Sequence, residues 1–145
     1  MGTLRIDSNF GDVGFIPKRY SYDFGNIIPP IRITGVPKSA KSLVLIIDDK
    51  DGDFENHFLV WNIPPQTKLI EEGTLPYDAI IGRNDFGLLD YIGPLADKKN
   101  HRYEFRIYAI DKVLYLGNNQ TKEAILKAIE GHILDECSIT RMFKE

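Results

Sequence analysis

Two apolar runs in the first half of the chain predict a pair of neighbouring strands. Ser42 to Ile47 is almost entirely apolar and leads into the acidic segment Asp48 to Asp53. Phe58 to Ile63 is a second apolar run. Apolar runs of this length are typical of strands that are buried on both faces. Since the acidic segment is too short to contain a crossover helix, we expect the two strands to be antiparallel neighbours.

An alternating pattern predicts a further strand from Tyr103 to Ile110. Glu104 and Arg106 fall on its polar face, and this period of two is the one expected of a strand. The apolar face carries Tyr103, Phe105, Ile107 and Ala109. Shorter strands, separated by turns rich in Gly and Pro, are indicated at Leu4 to Ile6, Ile31 to Ile33 and Ala79 to Ile81.

Helical periodicity occurs only near the C-terminus. Apolar residues line one face of the segment Thr121 to Glu130, and Thr121 is a suitable N-cap. Gly131 is expected to end this helix, and Ile133-Leu134 to begin a short second one. These elements predict a mostly β protein, an antiparallel two-sheet β-sandwich with one or two short C-terminal helices.

The composition fits a single domain over residues 1–145. A chain of 145 residues, 43% of them hydrophobic, is long enough to form a core without a disulfide, a metal or another cofactor. Cys137 is the only cysteine, so an intramolecular disulfide is excluded. We expect Cys137 to be a small buried hydrophobic residue.

The charges disfavour nucleic acid as a partner. The 18 Lys and Arg residues are interspersed with 21 Asp and Glu residues, and the net charge is -3, whereas nucleic-acid-binding surfaces concentrate positive charge. No apolar stretch approaches the roughly 20 residues that span a bilayer. The segment from Met1 to Gly14 lacks the continuous apolar region of a secretory signal. We therefore expect a cytoplasmic protein with no transmembrane segment.

The acidic segment Asp48 to Asp53 allows several interpretations. A calcium loop that begins at Asp49 needs Gly at its sixth position and Glu at its twelfth, but Phe54 and Val60 stand there. A phosphatase of the haloacid-dehalogenase kind carries D-x-D-G after a strand, but its fold requires parallel βαβ units. An acidic hairpin turn without chemistry is the remaining interpretation.

His57 and His101 stand at the entrances of two predicted strands. Strand ends on one edge of a sandwich converge, so two imidazoles there suit a phosphate or sulfate, and an Asp behind one ring fixes its tautomer. Two His and an Asp also suit a metal, and each His taken singly suits a structural role. His132, after Gly131, is expected to be structural. In the preceding loop, Tyr91 offers a hydroxyl, and Gly93 permits close backbone approach to a ligand.

An ordered set of motifs resembles the phosphatidylethanolamine-binding protein family, in its bacterial and archaeal Raf-kinase-inhibitor-like branch. The resemblance extends over nearly the whole chain, and its specificity comes from the order of the motifs. For example, His57 to Pro64 resembles the family's H-W/F-x-V-x-N-I-P strand. The other matching segments are Asn26 to Pro37, Ser42 to Asp51, Gly82 to Gly87, Tyr91 to Pro94, His101 to Tyr103 and Gly131 to Leu134.

This resemblance implies a β-sandwich with a small pocket for anions such as phosphate, sulfate or a phosphoethanolamine head group. We expect no metal and no cofactor, and the resemblance suggests a serine protease or a kinase as a protein partner. Tyr91 and Gly93 would form the wall of the pocket, and Asp51 would support its loop. The polar residues of the pocket would be Asp49, His57, His101 and Tyr103.

The chain departs from the family pattern beside this pocket. Lys50, Gly52 and Asp53 replace Pro, Ala and Pro in D-P-D-A-P, and Leu95-Ala96-Asp97 replaces x-P-P. The carboxylates of Asp53 and Asp97 make the rim less favourable for anions, so we expect a weak or selective pocket.

Three functional hypotheses follow from these residues. The leading one is a non-enzymatic binding protein for a small anion that inhibits or modulates a protein partner. The alternative is a phosphate-ester hydrolase that uses Asp49 or the pair of His57 and His101, with or without a metal. In the third, the pocket is vestigial and the protein is purely structural.

Overall fold

The computed structural model describes residues 2–8 and 14–144, in which eight strands form two antiparallel sheets. Positions 1 and 9–13 of the polar N-terminal segment lie outside the described residues. The large sheet has the order β6-β4-β3-β7-β8 and the small sheet β1-β2-β5. The strands are β1 (Arg5–Asp7), β2 (Ile31–Thr34), β3 (Ser42–Asp49), β4 (Asn56–Ile63), β5 (Leu69–Ile70), β6 (Ile80–Ile81), β7 (His101–Ile110) and β8 (Ile133–Phe143). The mostly β, two-sheet fold class is confirmed.

Strand β3 lies at the centre of the large sheet and is buried along its whole length. It is antiparallel to both β4 and β7, as the short acidic connection predicts for β4. One face of the large sheet packs on the small sheet, with Leu45 in the shared core. Val44 and Ile46 point to the other face and pack against the C-terminal helix. Because both faces are covered, β3 has no polar alternation, and this explains its continuous apolar run.

Strand β7 keeps the predicted alternation. Its apolar positions Tyr103, Phe105, Ile107 and Ala109 all belong to the core between the sheets. The strand begins at His101, two residues earlier than predicted, and β4 likewise begins at Asn56 and includes His57. The two histidines therefore lie within the first residues of their strands.

The prediction of a second helix at Ile133-Leu134 is wrong. These residues begin β8, which pairs with the whole of β7, from Ile110 opposite Ile133 to His101 opposite Phe143. Gly131 ends the preceding turn with a φ of 78°, so the chain reverses there and returns along β7. Strand β8 is an edge strand, and its short polar and charged side chains hide the pattern of a strand.

A single α-helix, α1 (Lys122–Ala128), is present in the described part of the chain, with two short 3-10 helices at Lys18–Tyr20 and Tyr22–Phe24. The predicted N-cap is confirmed, since the side chain of Thr121 accepts a hydrogen bond from the backbone of Ala124. Across residues 2–8 and 14–144, no helix has the length and apolar character to cross a membrane. Cys137 lies on β8 and is half-buried against the core rather than fully enclosed.

Candidate functional site

Three strand ends meet at one end of the large sheet. Because β3 is antiparallel to β4 and β7, its last residue lies beside the first residues of both neighbours. Asp49 ends β3 and pairs in register with Tyr103 of β7. His57 and His101 enter the same region from β4 and β7. The structure thus brings together Asp49, His57, His101 and Tyr103.

The carboxylate of Asp49 is the centre of this group and is 5% exposed. Its Oδ2 atom lies 2.6 Å from Nδ1 of His101 and 3.9 Å from Nε2 of His57. Its Oδ1 atom accepts a hydrogen bond of 2.9 Å from the backbone N–H of Asp51. Asp49 therefore orients the ring of His101 and holds the following turn.

His57 is buried and its ring is held by the backbone. Its Nδ1 atom lies 2.8 Å from the carbonyl oxygen of Ile92, a contact that requires a proton on Nδ1. Burial lowers the pKa of His57, although the Ile92 carbonyl and the charge of Asp49 oppose this shift. In the neutral ring Nε2 is therefore a hydrogen-bond acceptor.

His101 has a carboxylate at each ring nitrogen. Beside the contact of Nδ1 with Asp49, its Nε2 atom lies 2.9 Å from Oδ2 of Asp97. Burial alone would lower the pKa of His101, but the hydrogen bond to Asp49 and the charges of Asp49, Asp97 and Asp51 raise it overall. When protonated, the ring carries an N–H on both nitrogens, and the pKa values of the two histidines of the site are shifted in opposite directions.

Tyr103 lies against both histidine rings and is 1% exposed. Its ring meets His57 edge-on, at 5.2 Å between centroids, and stacks near that of His101 at 6.3 Å. Burial and the neighbouring charge of Asp49 raise the pKa of the Tyr103 hydroxyl, so it remains a protonated donor. Tyr103 thus packs against the two rings, and it is not among the residues that line the cavity beside them.

A cavity of about 240 Å³ opens above these groups. Phe54 and Phe86 form an apolar wall, with ring centroids 4.8 Å apart, and Phe86 also meets His57 edge-on at 5.0 Å. The described residues that line the cavity are Asp49, Asp51, Gly52, Asp53, Phe54, His57, Phe86, Leu95, Asp97, Lys99 and His101. The cavity therefore combines two imidazoles and one ammonium with four carboxylates.

Tyr91 and Gly93 lie behind the cavity and are not among its lining residues. The hydroxyl of Tyr91 donates to the carbonyl of Tyr20 at 2.7 Å. A Cβ atom at Gly93 would lie 2.0 Å from the same carbonyl, so glycine is needed there for the approach of another backbone segment. The N–H of Gly93 donates to the side chain of Asn26 at 2.7 Å. Both residues position the loop whose Ile92 carbonyl holds His57.

Asp51 binds the start of β7. Its carboxylate accepts hydrogen bonds from the backbone N–H and the guanidinium of Arg102 at 2.8 to 3.0 Å. These hydrogen bonds lower the pKa of Asp51 to about 2. Next to it, a Cβ atom at Gly52 would lie 2.3 Å from Oδ2 of Asp49. The acidic segment is thus a turn that brings Asp49 and the cavity rim together.

Sequence reasoning did not identify the apolar wall or Lys99 as parts of the site, and it named Asp97 only as a departure at the rim. Phe86 stands within the N-D-F-G segment, and Phe54 follows the acidic turn. The available sequence signal was an aromatic residue beside polar turn residues. In the structure Phe54 is half-exposed, as an aromatic residue that lines a binding surface can be. In the described ranges, no group of three or more His, Cys, Asp or Glu side chains is arranged to hold a metal ion.

Comparisons with known proteins agree with this architecture. Residues 7–144 match the family model of the phosphatidylethanolamine-binding protein. A UPF0098 protein of Methanothermobacter thermautotrophicus is 44% identical over 142 residues, which cover 93% of this chain and 94% of that protein. A UPF0098 protein of Pyrococcus abyssi is 40% identical, over 90% of this chain and 79% of that protein.

Two crystal structures resemble the fold. A phosphatidylethanolamine-binding protein homologue from Chlamydia trachomatis has a TM-score of 0.92 and 32% identity, over 100% of this chain and 99% of that one. YbcL of E. coli, described as a member of the mammalian family, has a TM-score of 0.84 and 23% identity, over 98% of both chains. At that identity YbcL supports the fold alone.

Proposed function

The chain belongs to the phosphatidylethanolamine-binding protein family, and we propose that it is a non-enzymatic binding protein whose cavity takes a small anion of the phosphate type. The observation that carries this proposal is the convergence of His57 and His101 on Asp49 beneath a small cavity. The ring of His101, whose pKa is raised, supplies the main N–H donor for an anion. Asp49 holds that ring in place, because it binds Nδ1 and leaves Nε2 directed away from it.

The neutral ring of His57 restricts the ligands that we expect in the cavity to anions that can donate a proton. Its Nε2 atom is an acceptor, so the bound group needs a proton of its own at that position. Inorganic phosphate keeps an acidic proton near neutral pH, whereas a phosphomonoester, with a second pKa of about 6, has largely lost its own. Phosphoethanolamine instead offers the protons of its ammonium. Sulfate has neither. We therefore expect phosphate and phosphoethanolamine to bind more tightly than sulfate.

Calorimetric titration with phosphate, phosphoethanolamine and sulfate tests this proposal. His101→Gln should weaken phosphate binding about tenfold or more, because a hydrogen bond to a charged group contributes roughly 1.5 to 3 kcal/mol. His57→Gln should reduce the preference for phosphate over sulfate. His132→Gln is the matched control, since His132 lies in a separate, exposed ion pair with Asp111.

Two results would contradict the proposal. If the parent protein binds none of the three ligands, the cavity is not an anion site and the purely structural hypothesis is favoured. If His101→Gln and His57→Gln bind phosphate as tightly as the parent does, the ligand site lies elsewhere.

The hydrolase alternative finds less support in the geometry. The carboxylate of Asp49 already accepts hydrogen bonds from His101 and from the backbone of Asp51, which lowers its nucleophilicity. Turnover of a phosphate ester by the parent protein, abolished in Asp49→Asn, would establish the hydrolase instead. No turnover with or without divalent metal ions is the result that we expect.

A protein partner and a cytoplasmic location complete the proposal. Members of this family act on proteases and kinases, and the exposed loops around the cavity are the available contact surface. Titration of serine proteases with the purified protein tests the inhibitor role, and undiminished protease activity at stoichiometric excess would remove it. Fractionation of the source cells tests the location.

A further inference from the structure

Both ring nitrogens of His101 lie beside carboxylates of the same chain. Asp49 takes Nδ1, and Oδ2 of Asp97 lies 2.9 Å from Nε2. Nε2 is the donor that an anion in the cavity needs. As long as Asp97 stays in this position, its negative charge lies against Nε2, where an anion would have to bind.

The backbone of the Asp97 loop is fixed independently of His101. The backbone N–H of Ala96 donates to Asp23 at 3.1 Å, and that of Tyr22 donates to the carbonyl of Pro94 at 2.9 Å. The other carboxylate oxygen of Asp97 accepts from the N–H of Lys99 at 3.0 Å. The loop that places the Asp97 carboxylate beside His101 is thus held by hydrogen bonds to Tyr22 and Asp23, which belong to a separate segment of the chain.

The two carboxylates on His101 differ in their access to water. The side chain of Asp97 is 44% exposed, whereas that of Asp49 is 5% exposed. Asp97 can turn towards solvent at little cost, because water solvates the carboxylate charge that leaves the half-exposed ion pair. The buried carboxylate of Asp49 cannot turn towards water in this way. Of the two carboxylates, Asp97 is therefore the one that a ligand can displace from His101.

We propose that Asp97 is the specificity-determining residue of the cavity, an internal counter-ion that a phosphate group must displace from Nε2 of His101 in order to bind. This inference rests on the proposed anion-binding function. Displacement requires a group that is a strong acceptor and that also offers protons to the carboxylates around it. A monoprotonated phosphate group satisfies both conditions. An anion without a proton to donate, such as sulfate, is instead repelled by the carboxylates of Asp97 and its neighbours.

Phosphate affinities of matched variants test the inference at constant ionic strength. Asp97→Ala should bind phosphate roughly two- to fivefold more tightly than the parent, because a half-exposed ion pair no longer competes. Asp53→Ala is the matched control, since it removes the same charge from the lining of the cavity and should raise the affinity by less than about twofold. Asp97→Asn keeps the acceptor for Lys99 and serves as the second variant if Asp97→Ala folds poorly.

A double variant separates competition from general electrostatics. In a His101→Gln background, Asp97→Ala should lose most of its gain, because the two residues act through one contact. Equal gains in Asp97→Ala and Asp53→Ala would overturn the inference in favour of a general charge effect. Binding by the parent that depends on His101 but is unchanged in Asp97→Ala would overturn the inference alone. Absence of phosphate binding in both the parent and Asp97→Ala would overturn the proposed function as well.

Discussion

Two His–Asp pairs lie at opposite ends of the large sheet and use the same chemistry in different surroundings. At one end, His101 and Asp49 are 2.6 Å apart and nearly excluded from water. At the other end, His132 and Asp111 are 2.8 Å apart, with side chains that are 40% and 43% exposed. The distance is almost the same, so it does not distinguish a site from a surface contact.

Burial and neighbours make the difference between the two pairs. Asp49 has a second histidine, His57, within 3.9 Å of its carboxylate, and Tyr103 lies beneath both rings. Water screens the pair of His132 and Asp111 and competes for each of its hydrogen bonds. A His–Asp pair is therefore a candidate site where both side chains are shielded from water, because water cannot then replace either partner.

Removal of the carboxylate at each end is the strongest test of this comparison. Asp49→Ala should lower the free energy of unfolding by about 2 to 4 kcal/mol, since it leaves the buried donor of His101 without its partner. Asp111→Ala should lower it by less than about 1 kcal/mol. Urea denaturation of both variants measures these effects. Equal losses would show that burial does not separate the two pairs.

An added methyl group compares the packing beside Asp49 with an open position elsewhere in the chain and should have a smaller effect. A Cβ atom at position 52 would lie 2.3 Å from Asp49, whereas nothing lies within 4 Å of one at position 117. Gly52→Ala should therefore destabilise the protein by about 1 to 2 kcal/mol through crowding, and Gly117→Ala should change stability by less than about 0.5 kcal/mol. Thermal unfolding tests this, and a neutral Gly52→Ala would mean that Asp49 has room to move.

The pH dependence of stability is the smallest effect, and it contrasts the two histidines within the buried region. The pKa of His101 is raised above its usual 6.5, so its stabilisation is complete below about pH 6.5 and is lost as the pH rises through the raised pKa. The pKa of His57 is lowered, so stability is lost as the pH falls from about 6.5 through the lowered pKa.

Single variants separate these opposing contributions. The difference in unfolding free energy between the parent and His101→Gln should be largest at low pH and shrink as the pH rises. The difference for His57→Gln should shrink as the pH falls. Urea denaturation between about pH 5 and about pH 8 covers this window. Slopes of the same sign for both variants would contradict the opposite pKa shifts of the two rings.

Much of the fold could be predicted from the sequence, because strand patterns are local. The apolar runs of β3 and β4 and the alternation of β7 identify the three strands that carry the site. Strand β8 was missed because an edge strand has one water-facing side and carries charged residues such as Asp135 and Glu136. Its identity depends on pairing with β7, which lies across a turn and a helix.

The sequence by itself determined which residue types meet, since antiparallel neighbours bring the end of β3 and the starts of β4 and β7 to one edge. The tertiary structure decided their chemistry. The path of the loop over residues 90–100 places the Ile92 carbonyl beside His57 and the Asp97 carboxylate beside His101. It also leaves Tyr91 and Gly93 behind the cavity rather than in its lining. The positions of β3, β4 and β7 follow from apolar runs and a period of two along the chain, but protonation state and ligand access depend on burial and on contacts between segments that are distant in sequence.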